Sequence, residues 1–250
     1  MVWSRQFSEL VADVQQRADI GGHLSRYPLS LLKRFVAESY ATLVQRAAAI
    51  GSPQYTQWVA LNTASPSAHP AGGVTVPLAD STGTTYPGPV LAMVAKVNGQ
   101  RTVLPCVSHA EMLQLIEGTT TDPNPVAWCV SHGGTEGAST SGSSTPIVWF
   151  APSLLAGTSA VVQVPLSNRL TESSADSFVV LGEQLGFDWL LNDVCIKVAA
   201  RDKNLSAQAA LWTSERDRAW TLLREAVRSN GRPVQASRVT VPRLGTWRNR

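Results

Sequence analysis

From Ser52 to about Asn168 the chain changes texture, and that change constrains the fold more than any other feature. Charges become scarce there, and Thr, Ser, Gly, Pro and Val dominate. The stretch holds seven short apolar or alternating runs between turn residues: "QYTQWVALNT", "GGVTVPLA", "PVLAMVAKV", "RTVLPCV", "PVAWCV", "PIVWFAP" and "SAVVQVPL". Alternation at a period of two puts one face of each run in a core and the other in solvent, which predicts an antiparallel sheet packed into a sandwich or small barrel. "VNGQ" at Val97–Gln100 places Asn-Gly between two runs, a strong hairpin signal. "FAPSLLAGTSAV" reads as another tight connection. "GGTEGASTSGSSTP" (Gly133–Pro146) is too polar to bury apolar area of its own and predicts a loop.

Helical periodicity flanks this region on both sides. Ser4 is a candidate cap for a helix with Phe7, Leu10, Val11 and Val14 on one face. Pro28 suits the first turn of a second, along which Leu31, Leu32, Phe35, Val36, Leu43, Val44 and Ala47 recur at three- and four-residue steps until Gly51 and Pro53. After the β-rich stretch, "SADSFVVLGEQLGFDWLLNDVCIKVAARD" carries apolar residues at helical steps. Gly182 and Gly186 interrupt it and predict close packing or a bend. Ser206 opens a last helix with Ala209, Trp212, Ala219, Trp220, Leu223 and Val227 along one face, ended by Asn230-Gly231. The predicted class is α+β: an N-terminal helical pair, an antiparallel sandwich or barrel-like middle, long C-terminal helices and an extended tail. The expected divisions are a helical domain of residues 1–51 and 171–231, a β-rich insertion of 52–170, and a basic tail of 232–250.

Charge is low and uneven. Charged residues make up 16% of the 250, under the roughly 25% of an ordinary soluble domain, which fits surfaces covered by partners. From Arg228 onward there are six Arg and no acid, so 15 basic residues face 18 acidic ones in the rest of the chain. A basic tail on a mildly acidic body points to an acidic partner surface or a nucleic acid. No run reaches the roughly 18 apolar residues of a membrane span. The N-terminal stretch carries charges where a leader needs an apolar core, so a cytoplasmic product with reduced thiols is expected.

"CVSH" occurs twice, at Cys106–His109 and Cys129–His132. A tetrahedral zinc site needs four converging ligands, but a Cys and a His three apart in an extended strand point to opposite faces. The flanks also differ. Ser108 and Glu111 form a capping box ahead of an apolar helical run, so His109 begins a short helix and Cys106 ends a strand. Cys129 and His132 close a strand entering the polar loop. Coincidence is the better reading, with Cys106, Cys129 and Cys195 as small buried apolar residues. The four His (His23, His69, His109, His132) sit at helix or loop edges. No nucleophile elbow, phosphate loop or dinucleotide fingerprint occurs. No catalytic residue, metal or cofactor is therefore predicted. Internal Trp residues such as Trp58, Trp128 and Trp149 are expected in the core; Trp3 and Trp247, at the ends, are candidate interface anchors.

The order of parts resembles the head-to-tail adaptor (connector) proteins of tailed bacteriophages. The resemblance rests on two helices ending in "ESYATLVQRAAAIGSPQYTQWVALNT", on "VPLAD" at Val76–Asp80, where the family has Leu-Pro-x-Asp, on "IVWFAPSLLAGTSAVVQV", and on an acidic start to the closing helical region. It implies a structural virion protein of the head–tail neck, made in the host cytoplasm, with no reaction to carry out. The implied assembly is a homo-oligomeric, dodecameric ring beneath the portal protein. The implied partners are the portal, and tail, nozzle or tail-terminator proteins, with packaged DNA passing through the lumen without sequence-specific contact. A C-terminal segment would dock on the portal, which in this chain assigns the contact to Arg232, Arg238, Val239, Val241, Arg243, Trp247, Arg248 and Arg250; "RVTVP" has the alternation needed for strand addition. Three other readings compete: another phage tail or head-completion structural protein, a ligand-binding β-sandwich module with an exposed aromatic platform, and a zinc protein built on the paired CVSH.

Overall fold

The computed structural model describes residues 3–20, 26–64, 66–69, 71–79, 82–83, 86, 89–97, 100–118, 125–132, 146–151, 159–166 and 170–229. In chain order the elements are β1 (Trp3–Gln6), α1 (Phe7–Arg17), α2 (Leu29–Ala49), β2 (Thr56–Ala60), β3 (Ser67–Ala68), β4 (Val74–Pro77), β5 (Ala92–Val97), β6 (Gln100–Leu104), α3 (His109–Gly118), β7 (Ala127–His132), β8 (Pro146–Ala151), β9 (Ala160–Pro165), β10 (Val179–Gly182), α4 (Gln184–Ala199) and α5 (Ser206–Ser229). The fold is α+β, as the sequence predicts. Two compact units divide the described residues, one from Met1–Gln57 with Pro165–Pro233 and the other from Trp58–Val164. The extended tail predicted for 232–250 lies outside the described residues.

The first unit is helical and is built from the segments on either side of the β-rich stretch. Its core gathers Phe7, Leu10 and Val14 of α1, the Leu32, Phe35, Val36, Tyr40, Leu43 and Ala47 stripe of α2, and Trp212, Ala219 and Leu223 of α5 around α4. α4 is buried nearly all round, through Phe187, Trp189, Leu190, Leu191, Val194, Cys195 and Val198, as a central helix must be. Polar ties fix the packing. Ser39 Oγ donates to Asp193 Oδ2 at 2.7 Å and Arg216 Nη1 donates to Asp193 Oδ1 at 3.2 Å, linking α2, α4 and α5. Arg17 Nη1 donates to buried Asn192 Oδ1 at 3.1 Å, linking α1 to α4. α2 stops where expected: Gly51 takes φ +80° and donates its N–H to Ala48 O at 2.9 Å, the left-handed residue that commonly closes a helix.

Three local expectations need correction. Ser4 lies in β1, and the N-cap of α1 is Gln6, which exchanges capping-box hydrogen bonds with Glu9. Pro28 is the N-cap of α2, one position before the first turn. Val179–Gly182 is a strand, not helix: β10 pairs antiparallel with β1, Gln6 opposite Val179 and Trp3 opposite Gly182. Helix begins only after Glu183. Gly186 does mark a close approach. A Cβ there would run into the hydroxyl of Tyr55.

The second unit is an open sandwich with a helix on one side; neither sheet closes into a barrel. One sheet has the order β2-β9-β5-β6 and the other β3-β4-β8-β7. Their facing side chains share a core of Val59, Met93, Ala95, Leu104, Val162 and Val164 from the first and Val76, Trp128, Val148 and Phe150 from the second. The strands on either side of Asn98-Gly99 pair as predicted: Val97 pairs with Gln100, and β5 and β6 run on in register from Lys96↔Arg101 to Met93↔Leu104. The far face of the second sheet is covered by α3, through Met112, Leu113, Leu115 and Ile116 against Ala127, Cys129, Trp149 and Ala151. α3 starts at its predicted capping box: the Ser108 N–H and Oγ donate to Glu111 Oε2 at 2.8 and 2.9 Å, and the Glu111 N–H donates back to Ser108 Oγ at 3.3 Å.

Candidate functional site

The residues assigned to portal docking, Arg232, Arg238, Val239, Val241, Arg243, Trp247, Arg248 and Arg250, all lie outside the described residues, as do the polar loop of 133–145 and His23. Among the described residues no helix is long and apolar enough to cross a membrane.

The Cys ends of the two CVSH copies do come together in space. Beyond β6 the chain turns at Pro105 and runs parallel to β7: Trp128 N–H donates to Pro105 O at 3.1 Å, and Val107 N–H donates to Trp128 O at 3.0 Å. This places Cys106 opposite Trp128, the neighbour of Cys129. Among the described residues, however, no three His, Cys, Asp or Glu converge as metal ligands. His109 turns instead onto Trp149, ring centroids 5.1 Å apart, and His69 stacks on the same indole at 4.0 Å. Cys129 and Cys195 are buried as expected, but Cys106 is exposed: in the edge segment beside β7 it is the neighbouring Val107 that is buried.

The thiols are poor nucleophiles. Burial, then the neighbouring Cys106, pushes Cys129 up to about 11, and burial pushes Cys195 up to about 12. Neighbouring atoms desolvate the Cys106 sulfur although the residue is exposed, and together with Glu111 they raise its pKa as well. Thiolate chemistry needs the opposite shift. These shifts set an alkaline limit. A group whose pKa is higher folded than unfolded contributes its full stability below the unfolded value and loses it as pH rises through the folded one. With ordinary values of 9.0 for Cys129 and Cys195 and 10.0 for Tyr40, which burial takes to about 12, these three groups are expected to leave the urea midpoint unchanged below pH 9 and to lower it between pH 9 and 12. A midpoint that holds to pH 12 contradicts the burial of these groups. Thiol labelling at neutral pH should modify Cys106 first and reach the other two only on unfolding.

In the helical unit Tyr40, Tyr55, Ser52 and Glu183 cluster beneath the β10–α4 turn. Tyr40 OH donates to Leu181 O at 2.9 Å, Glu183 N–H donates to the Tyr55 oxygen at 3.3 Å, and Ser52 Oγ lies 3.5 Å from Glu183 Oε1. Burial raises the Glu183 carboxyl and, more strongly, both phenols. The phenols are held by backbone groups and keep their protons at neutral pH, so they offer no base. The cluster rivets the turn.

What remains is a surface. In the sandwich the β3-β4-β8-β7 sheet is covered on both faces, whereas among the described residues the outer face of the β2-β9-β5-β6 sheet is only partly covered, Ala92 being buried there and Val94 and Val161 half-buried. On its other face Val94 sits directly opposite Val103 on one side and Val161 on the other, an apolar row across three strands. Val103 is 57% exposed, and on the edge strand β2 the Trp58 side chain is 51% exposed. Trp58 is thus not a core residue. In β2 only one of the adjacent pair Trp58 and Val59 can face the core, and Val59 does. Beside the valine row Lys96 and Arg101 stand directly opposite each other, a like-charge pair that destabilises a sheet. This face was legible through parity. A charge cannot face the core, so Lys96 and Arg101 mark the outer face, and Val94 and Val103 share their parity.

No family model matches the chain, and no curated protein matches it. Function has therefore to be read from these surfaces and from the order of the parts.

Proposed function

We propose that the chain is a structural head-to-tail adaptor of a tailed bacteriophage, a subunit of a ring seated beneath the portal that links the capsid vertex to the tail and lines the DNA exit channel. The observation that carries this reading is the arrangement of the chain: the segments on either side of the β-rich stretch build one helical unit and the β-rich unit is inserted between them, the order of parts on which the resemblance rests. Two further features support it. A ring subunit needs two unlike surfaces that match around a closing rotation, and the sandwich leaves one apolar, basic sheet face open. The sequence from Arg228 onward, rich in Arg and free of acids, suits an acidic portal surface.

The test is to mix the protein with the portal of its own virus and follow complex formation by size exclusion and electron microscopy. A ring on the portal is expected. Deleting Gln235–Arg250 is expected to abolish portal binding while leaving the circular-dichroism spectrum of the body unchanged; full binding by the truncated chain rules out docking through the tail.

One observation favours a second reading, a ligand-binding sandwich: the half-exposed Trp58 at the edge of an open sheet face. A saturable shift in Trp fluorescence with a sugar or peptide, lost in Trp58→Ala, would favour it over the adaptor.

A further inference from the structure

The open sheet face calls for a partner of definite chemistry. Its apolar row of Val94, Val103 and Val161 is bordered by Lys96 and Arg101, and among the described residues neither cation has a carboxylate partner. Two like charges held opposite one another beside a part-exposed valine row are relieved by carboxylates arriving from outside on an apolar support.

The helical unit carries such a surface. Where the chain 171–179 meets the start of α2 there is an open cleft of about 550 Å³ lined by Leu29, Ser30, Lys33, Thr171, Glu172 and Ser173. Leu29 and, nearby in the chain, Val179 are each 47% exposed. Lys33 is already engaged by Asp176 at 2.6 Å. Ser8 N–H donates to Asp176 O at 3.1 Å, which brings the first turn of α1, with exposed Glu9, to the same corner. Asp176 engages the one ammonium, Glu172 lines the same cleft, and Glu172 has no ion pair among the described residues.

We infer that the Val94–Val103–Val161 face of one copy, with Lys96 and Arg101, docks on the Leu29–Glu172 corner of a second copy. The contact joins unlike surfaces, so it is heterologous, the kind that builds a ring when the rotation between copies closes. The inference rests on the ring reading proposed above and names the surfaces that close it.

The experiment is sedimentation of the full chain at low salt from about 1 μM to about 500 μM, with two variants exposed enough to leave folding intact. Lys96→Glu/Arg101→Glu breaks one face and Leu29→Arg/Glu172→Arg breaks the other. The wild-type chain is expected to self-associate, less so in about 1 M salt, and each variant to weaken association at least about 10-fold. An equimolar mixture of the two variants keeps one intact face on each species and is expected to form a heterodimer that grows no further. A wild-type chain monomeric over this range, association unchanged by both variants, or a variant mixture that stays monomeric overturns the inference. The outcomes separate it from the adaptor reading. Association that ignores these substitutions while the portal still captures a ring sinks only the surface assignment. Loss of portal capture with the heterodimer intact sinks only the adaptor.

Discussion

Trp149→Ala is expected to cost the sandwich unit about 3–5 kcal/mol, the range for deleting a fully buried Trp. The indole is 0% exposed and is the hub of the layer between the second sheet and α3. It stacks on His69 at 24° between ring planes, touches His109 at the start of α3, and donates its Nε1–H to Gly72 O at 2.9 Å. Gly72 and Gly73 take φ of +98° and +73°, and a Cβ on Gly73 would strike Phe150 O and the indole itself. One side chain therefore holds the β3–β4 turn, the centre of β8 and the first turn of α3. Since whole domains have only about 5–15 kcal/mol to lose, the alanine variant should show a large drop in the urea midpoint of this unit and early hydrogen exchange across β7 and β8. Trp149→Phe keeps a ring but loses the N–H and should cost less than half as much. An alanine variant within about 1 kcal/mol of wild type would mean that the packing of α3 on this sheet is wrong.

The helical unit has its own single point of failure. Gly186→Val is expected to destabilise it by about 3 kcal/mol, the upper end of ordinary overpacking, despite the few tenths of a kcal/mol that replacing glycine by valine in a helix otherwise brings. The new Cβ would collide with the hydroxyl of Tyr55, approach its Cζ at 3.0 Å and reach Leu43 Cδ2 at 3.5 Å. Tyr55 is 0% exposed, and its oxygen accepts the N–H of Glu183 at 3.3 Å, so it has nowhere to move. Combining the substitution with Tyr55→Phe removes the clashing atom. The double variant should be less destabilised than the sum of the singles, by a coupling of about 1 kcal/mol. Simple additivity would show that Tyr55 is not what excludes a side chain at 186.

The elements that could be read in advance are those whose signals are local. The α2 stripe repeats at helical spacing along the whole helix. Asn98-Gly99 between alternating runs admits only a tight hairpin, and Ser108 with Glu111 is a self-contained cap. Val179–Gly182 was not legible, because "FVVLG" fits either period and its partner Trp3–Gln6 lies at the other end of the chain. Cys106 and Trp58 were misplaced for a related reason. Apolar character says that a side chain prefers a core, but which of two adjacent residues, Trp58 or Val59, Cys106 or Val107, faces inward decides whether it reaches one. The candidate surface was half legible: parity exposes Lys96, Arg101 and Val103. That the opposite sheet would be covered by α3 while this one stayed partly open required the layer order, which depends on pairings such as β9 with β5 that are far apart in sequence.

Leu166 N–H donates to Tyr55 O at 3.0 Å, so the polypeptide leaves the helical unit and returns to it at neighbouring points. Translation meets this arrangement awkwardly. At about 5–20 residues per second, α2 leaves the ribosome roughly 7 to 30 s before α4, the helix it must bury itself against. During that interval the nascent α1–α2 pair has its greasy stripe bare while the intervening β segment is still being made. Yield in a heterologous host should therefore respond to chaperone supply and to growth temperature more than the stability of the finished molecule would suggest.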